Sequence, residues 1–102
     1  MGRLESAIQR DIILYLRGLG AYVVNYGGSA SGAKGTPDLL VCYKGRFIGI
    51  EVKRPDSNYT LTTAQQIRLM QIARAGGIGL GVESLQDVVD PSRVWGKAYE
   101  RI

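Results

Sequence analysis

The chain has 102 residues, no histidine, a single cysteine (Cys42) and a formal charge of +4, from 13 Lys and Arg against 9 Asp and Glu. Without histidine there is no Ser-His-Asp or Cys-His nucleophile and no HExxH zinc site, and one cysteine excludes an internal disulfide and a Cys-ligated structural zinc. Catalysis is left to carboxylates, lysines and hydroxyls, and a metal held by such oxygens would be a hard cation, Mg²⁺ or Mn²⁺.

Leu4 to Leu19 is helical by period. At 3.6 residues per turn, Leu4, Tyr15, Ile8, Leu19, Ile12 and Leu16 fall in one sector about 120° wide. Glu5 lies inside that sector, between Ile12 and Leu16, where a lone carboxylate is costly unless it is paired or binds metal. Pairing with a neighbouring lysine or arginine, or placement at the helix N-terminus, are the alternatives. Arg3, Arg10 and Arg17 line the opposite side; they read as a solvated face, with a phosphate track the other possibility. Gly18 and Gly20 end the helix.

Ala21 to Tyr26, rich in Tyr and Val, reads as a strand. Gly27 to Gly35 (GGSASGAKG) is a small, polar loop. Its glycine spacing imitates a phosphate-binding P-loop, but Ala33 and Gly35 break the motif and Pro37 leads into a strand, where a P-loop must enter a helix. No nucleotide cofactor is therefore expected. Asp38 to Tyr43 and Arg46 to Lys53 are two strands around Lys44-Gly45, the layout of a tight hairpin.

Arg54 to Thr60 is a loop containing Pro55. Thr62 to Ala75 is a second helix, capped by Thr62 and closed by Gly76-Gly77. Ile78 to Glu83 is a strand, Ser84 to Val89 a helical turn stopped by Asp90-Pro91, and Val94, Trp95, Ala98, Tyr99 and Ile102 recur at helical spacing. Cys42 reads as a small core residue, and Trp95 and Tyr99 as packed on the core, with dimer contact or base stacking the other possibility. The expected order is α-β-β-β-α-β-α, an α/β fold with a central mixed sheet flanked by helices in a single domain, residues 1–102. No apolar run approaches the roughly 18 residues of a membrane span, and the N-terminus lacks the pattern of a signal peptide. A soluble, cytoplasmic protein is expected, and its positive charge favours an acidic partner such as nucleic acid.

The hairpin concentrates the chemistry. A two-residue turn at Lys44-Gly45 sets each residue opposite the one that brings their numbers to 89. Asp38 then faces Glu51, with their Cβ atoms about 5 Å apart. Strand alternation puts Glu51, Lys53 and Phe47 on one sheet face and Leu39, Val41, Ile48, Ile50 and Val52 on the other. Directly opposed carboxylates repel, so a shared proton, the Lys53 ammonium or a divalent cation must offset them. Such acids with a lysine suit metal-assisted phosphodiester chemistry: the ion lowers the pKa of a bound water and neutralises the phosphate, and the lysine positions or activates the nucleophile. The bland readings are a turn residue at Asp38 and a solvated strand face at Glu51 and Lys53.

Gly35-Thr36-Pro37-Asp38, followed after twelve intervening residues by Glu51-Val52-Lys53, resembles the PD-(D/E)xK nuclease signature. Glu5 on the first helix, Phe47 to Pro55 (FIGIEVKRP), Leu61, Thr62 and Gln65, and Ala75-Gly76-Gly77 extend the resemblance to the VRR-NUC (virus-type replication-repair nuclease) family. The likeness runs from about Glu5 to Val88 and implies a restriction-endonuclease-like core. It implies an Mg²⁺- or Mn²⁺-dependent DNA endonuclease with Glu5, Asp38, Glu51 and the Val52 carbonyl as metal ligands, Lys53 serving the attacking water and Gln65 supporting the site. Thr62-x-x-Gln65 is equally a capping box. The family further implies a homodimer, of phage or prophage type, that cuts branched DNA such as Holliday junctions. Lys34, Arg54 and Arg10 are the candidate DNA contacts. A catalytically silent DNA-binding module of the same fold and a nuclease for single strands are the rival readings.

Overall fold

The structure, a computed structural model, describes residues 4–27, 34–54, 61–89 and 99–100. Arg3, residues 28–33 of the glycine-rich loop, Pro55, Asp90-Pro91, Val94, Trp95, Ala98 and Ile102 lie outside that set, and so does the side chain of Tyr99. The elements are α1 (Glu5–Gly18), β1 (Tyr22–Asn25), β2 (Leu39–Tyr43), β3 (Arg46–Val52), α2 (Thr63–Arg74), β4 (Ile78–Val82), α3 (Leu85–Val89) and β5 (Tyr99–Glu100). The order through α3 is the expected α-β-β-β-α-β-α.

The C-terminus departs from its pattern. Instead of continuing a helix, Tyr99 and Glu100 pair antiparallel with Gly79 and Ile78. Without them β4 would present an unpaired backbone row at the sheet edge. The ladder bonds gained there outweigh a weak local helical period.

Each long helix ends where a glycine can take the left-handed backbone. After α1, Gly20 (φ 89°) donates to the Arg17 carbonyl and Ala21 to the Leu16 carbonyl; after α2, Gly76 (φ 99°) donates to Ala73 and Gly77 to Ile72. This double bond pattern satisfies carbonyls that a helix end leaves without partners. The hairpin turn uses the same device at Lys44 (φ 51°) and Gly45 (φ 78°). Two positive φ values in a two-residue loop match the twist of the flanking strands and lock the register. Tyr43 faces Arg46 and Leu39 faces Ile50, as the turn requires.

The sheet runs β1-β2-β3-β4-β5, antiparallel except for the parallel pair of β3 and β4. On one face, Ile8, Ile12 and Leu16 of α1 pack on Val23, Leu39, Val41, Ile50, Val52 and Val82. Burial of each large apolar side chain contributes about 1.5–3 kcal/mol. Leu4 and Leu19, at the two ends of the predicted helix, stay exposed.

On the other face α2 sits on a floor of glycines. Gly49 and Gly79 are paired neighbours, and a Cβ at Gly79 would stand 2.7 Å from the Leu69 carbonyl oxygen. The helix approaches β3 and β4 only because no side chains intervene. It does not cover β1 and β2, so the row Tyr22–Cys42–Phe47 across the sheet is left open. Cys42 is accordingly exposed, not a core residue. Its strand side faces away from α1, and α2 lies too far along the sheet to bury it.

Candidate active site

Asp38 immediately precedes β2 and Glu51 is the penultimate residue of β3, so the hairpin register brings them face to face. Asp38 is tied down by its own backbone and side chain. Its carbonyl accepts from the amides of Tyr26 (2.8 Å) and Gly27 (3.0 Å), and its Oδ2 accepts from the Val52 amide at 2.9 Å. A Cβ on Gly27 would lie 3.2 Å from Asp38 Oδ1, so that glycine leaves room beside the carboxylate. The sequence pattern marked Gly27 only as a loop residue; its value comes from the partner strand.

Glu51 is 4 % exposed. It stands between Asp38 and Gly81 across the sheet, and Gly81 is overlaid by Leu61, whose Cδ1 would meet a Cβ there at 3.2 Å. Along its own strand, Gly49 is covered by Ile72 and Pro37. Burial away from water therefore pushes the Glu51 carboxyl up to about 9, helped by its hydrogen bond to Asp38 and by the charges of Asp38 and Glu5, and opposed by the Lys53 ammonium. The offset that opposed acids demand is thus, without metal, a proton: neutral Glu51 donates to Asp38. Lys53 continues the ladder past β3, its amide donating to the Val82 carbonyl at 2.9 Å.

A stability slope follows from this proton. An unfolded glutamate titrates near 4.5 and the folded Glu51 near 9. Between those values the unfolded chain loses a proton that the folded chain keeps, so the Glu51 contribution is full below about pH 4.5, falls as pH rises and levels off above about 9. In EDTA, Glu51→Gln should melt within a degree or two of wild type at pH 4.5. At pH 8 it should be more stable by about 1–3 kcal/mol. Parallel melting curves across that range would rule this account out.

Of the other predicted residues, Glu5 is half-buried at the start of α1, near enough for its charge to act on Glu51. Among the described residues, no group of three His, Cys, Asp or Glu side chains stands close enough to hold a metal ion. The structure thus gathers Asp38 and Glu51 and does not bring Glu5 into the pair. Lys34 is exposed and Arg54 half-buried, two residues past the strand end. Arg10 is exposed on α1, which covers the opposite sheet face from the two acids.

Gln65 is a helix cap. Its Oε1 accepts from the Thr62 amide (2.9 Å) while its own amide donates to Thr62 Oγ1 (3.1 Å), a closed capping box. Thr62→Ala should cost about 1 kcal/mol, about 4–8 °C in Tm by calorimetry, whereas Gln65→Glu should keep the box and the Tm. Sequence reasoning passed over Arg68, whose Nε donates to the Lys34 carbonyl at 3.1 Å and whose NH1 donates to Gln71 Oε1 at 2.9 Å. Its i, i+3 relation to Gln71 was visible, but the contact that pins the Lys34 loop was not.

A sequence-family model described as archaeal Holliday junction resolvase (Hjc) matches residues 2–80. A solved VRR_NUC domain superposes with TM-score 0.70 at 25% identity, covering 89% of this chain and 96% of the other. A second VRR_NUC domain protein gives TM-score 0.70 at 20% identity, with 95% and 91% covered. Hjc from Archaeoglobus fulgidus, a Holliday junction resolvase, gives 0.61 at 20% identity, with 78% and 67% covered. No curated protein sequence matches significantly. The expected restriction-endonuclease-like architecture and the VRR-NUC-like nuclease domain are both present. No helix among the described residues is long and apolar enough to cross a membrane.

Proposed function

Because the chain belongs to the archaeal Holliday junction resolvase (Hjc) family, we propose that it is a divalent-metal-dependent endonuclease hydrolysing phosphodiester bonds in branched DNA such as Holliday junctions. The observation that carries this reading is the opposed Asp38–Glu51 pair, its Glu51 buried and its Asp38 half-buried, with Lys53 beside it. A fold selected only for binding gains nothing from opposed acids, which cost stability unless a proton or a cation compensates them.

The pair fits a hard cation. Both donors are oxygens, and the proton that Glu51 holds above the usual carboxylate range occupies the charge position an ion would take. Asp38, Glu51 and the Val52 carbonyl would hold Mg²⁺ or Mn²⁺, with Glu5 contributing negative charge from the first turn of α1. A bound ion supplies a water of lowered pKa and neutralises the scissile phosphate.

The chain's own residues set the rest. The Val52 amide fixes the Asp38 carboxylate, which leaves little orientation to be lost at the moment of reaction. To hold an ion Glu51 would have to be deprotonated, so metal binding would strengthen with rising pH. The Lys53 ammonium, close enough to act on Glu51, orients the attacking water and meets charge developing on the phosphate. Resolution of a four-way junction needs two incisions, and a homodimer supplies two such sites.

The test is incubation of labelled four-way junction, flap, duplex and single-strand substrates with Mg²⁺, with Mn²⁺ and with EDTA. Cutting of the junction in either metal and none in EDTA is expected. Protein that binds the junction and never cuts it with either ion sinks the enzyme reading in favour of a binding module. Equal cutting of single strands and junctions sinks the branched-DNA reading.

A further inference from the structure

The ladder of β2 fixes the chain from Leu39 onward, and Asp38 stands one residue ahead of it. The backbone that delivers this carboxylate, residues 34–37, belongs to no strand and is held from α2. Resting on the function proposed above, we propose that Arg68 is a positioning residue for the reaction. By holding the Lys34 carbonyl it seats this segment on α2 and sets Asp38 opposite Glu51 to receive the ion.

The seat is built residue by residue. Arg68 Nε donates to the Lys34 carbonyl at 3.1 Å, across 34 positions of sequence. Gly35 follows with φ 84°, and a Cβ there would stand 2.5 Å from the Ala64 carbonyl carbon and oxygen and 2.9 Å from the Gln65 nitrogen. Ala64 and Arg68 are four residues apart and share one side of the helix. Lys34 and Gly35 therefore lie along the first two turns of α2, backbone against backbone. Pro37 is buried, with its Cγ 3.1 Å from where a Cβ on Gly49 would be, and its ring fixes its own φ. The Val52 amide then holds the Asp38 carboxylate at 2.9 Å. With so little freedom along this path, a shift at Lys34 is passed on to Asp38 and not absorbed.

The guanidinium is committed to this task. Gln71, the next turn along, accepts from its NH1 at 2.9 Å, so Arg68 is held from two directions. Nε is half of the side-on fork with which an arginine grips a phosphate, and here it is spent on a main-chain carbonyl. Both contacts lie within one chain, so they serve a monomer and a dimer alike. Groups that orient a metal ligand from behind typically carry an effect of about 10–100-fold on metal affinity or activity.

The test uses Arg68→Met, which keeps an apolar stem of similar length and loses every donor. Mn²⁺ binding to the protein without DNA, read by electron paramagnetic resonance, should weaken about tenfold. Single-turnover junction cleavage at saturating protein should slow by about the same factor. The junction Kd in EDTA should stay within about twofold, and the sedimentation mass should not change. Arg68→Lys, which can still donate to the carbonyl, should recover most of both losses. Gly35→Ala should exceed Arg68→Met, at about 10²-fold in rate, because its Cβ pushes the segment off the helix.

Arg68→Met that binds Mn²⁺ and cuts like wild type overturns the brace. A raised junction Kd with a salt slope flattened by about one does the same, since it marks a lost phosphate contact. A change of sedimentation mass that accounts for the lost cutting would make Arg68 a subunit contact instead. A lower Tm with cleavage per folded molecule unchanged would make it merely structural. In each of these cases cutting by wild type leaves the nuclease reading intact. Wild type that neither binds Mn²⁺ nor cuts a junction overturns the function itself.

Discussion

Asp38→Asn is expected to lower the rate of junction cleavage by about 10³-fold while leaving the junction Kd within about threefold and Tm within a few degrees. Asparagine is isosteric, and its carbonyl oxygen can still accept from the Val52 amide, the bond that anchors Asp38 at 2.9 Å. What it loses is the negative charge. A neutral amide is a weak ligand for a hard cation, and it removes a charge that helps keep Glu51 protonated. Lys53→Ala should show a loss of similar size with the same preserved binding, since its ammonium sits by the acids and not in the hydrophobic core. Cleavage rates under single-turnover conditions separate this from substrate affinity. Cutting that survives both substitutions would move the active site elsewhere. Loss of binding in step with loss of cutting would reduce the acids to a structural role.

Gly79→Ala should destabilise the fold by about 3 kcal/mol, a large part of the 5–15 kcal/mol typical of a domain. The added Cβ would stand 2.7 Å from the Leu69 carbonyl oxygen, 2.9 Å from its Cβ and 3.0 Å from its Cα. Two of these are backbone atoms of α2, so no rotamer change relieves the clash. The helix must lift, and with it goes the cover over Gly49 and the seat of the fully buried Leu69. Gly18→Ala is the control. Nothing lies within 4 Å of a Cβ there, the residue is helical with no positive φ, and alanine should gain about 0.5 kcal/mol. Urea titration of the pair reads both signs. Equal stabilities would contradict the close approach of α2 to the sheet.

The acid pair was legible because its geometry is local. Two consecutive strands with two residues between them allow one register, and that register names Asp38 as the partner of Glu51 before any tertiary contact is known. Helix ends were legible for the same reason, since Gly20 and Gly76 accept backbone angles that other residues resist. The Thr62–Gln65 box was readable too, although the family resemblance gave Gln65 a second role that its geometry does not display.

Other features depend on what lies above each residue. Strand alternation put Glu51 and Cys42 on the same face of the sheet, and one is buried while the other is exposed. The difference is the reach of α2, which covers β3 and β4 and stops short of β1 and β2. Periodicity assigns a side chain to a face and is silent about the width of the element packed on it. Tyr99 made the same point at the sheet edge, where ladder hydrogen bonds to β4 overrode a helical spacing.

By itself, then, the sequence determined the chemistry available to this protein: no histidine, one cysteine, and oxygen donors opposed across a hairpin whose turn admits no other register. Only the tertiary structure decided how that chemistry is poised. Glycines at 49, 79 and 81 let α2 and Leu61 close over Glu51, and that burial, a non-local event, turns two neighbouring carboxylates into a pair that shares a proton.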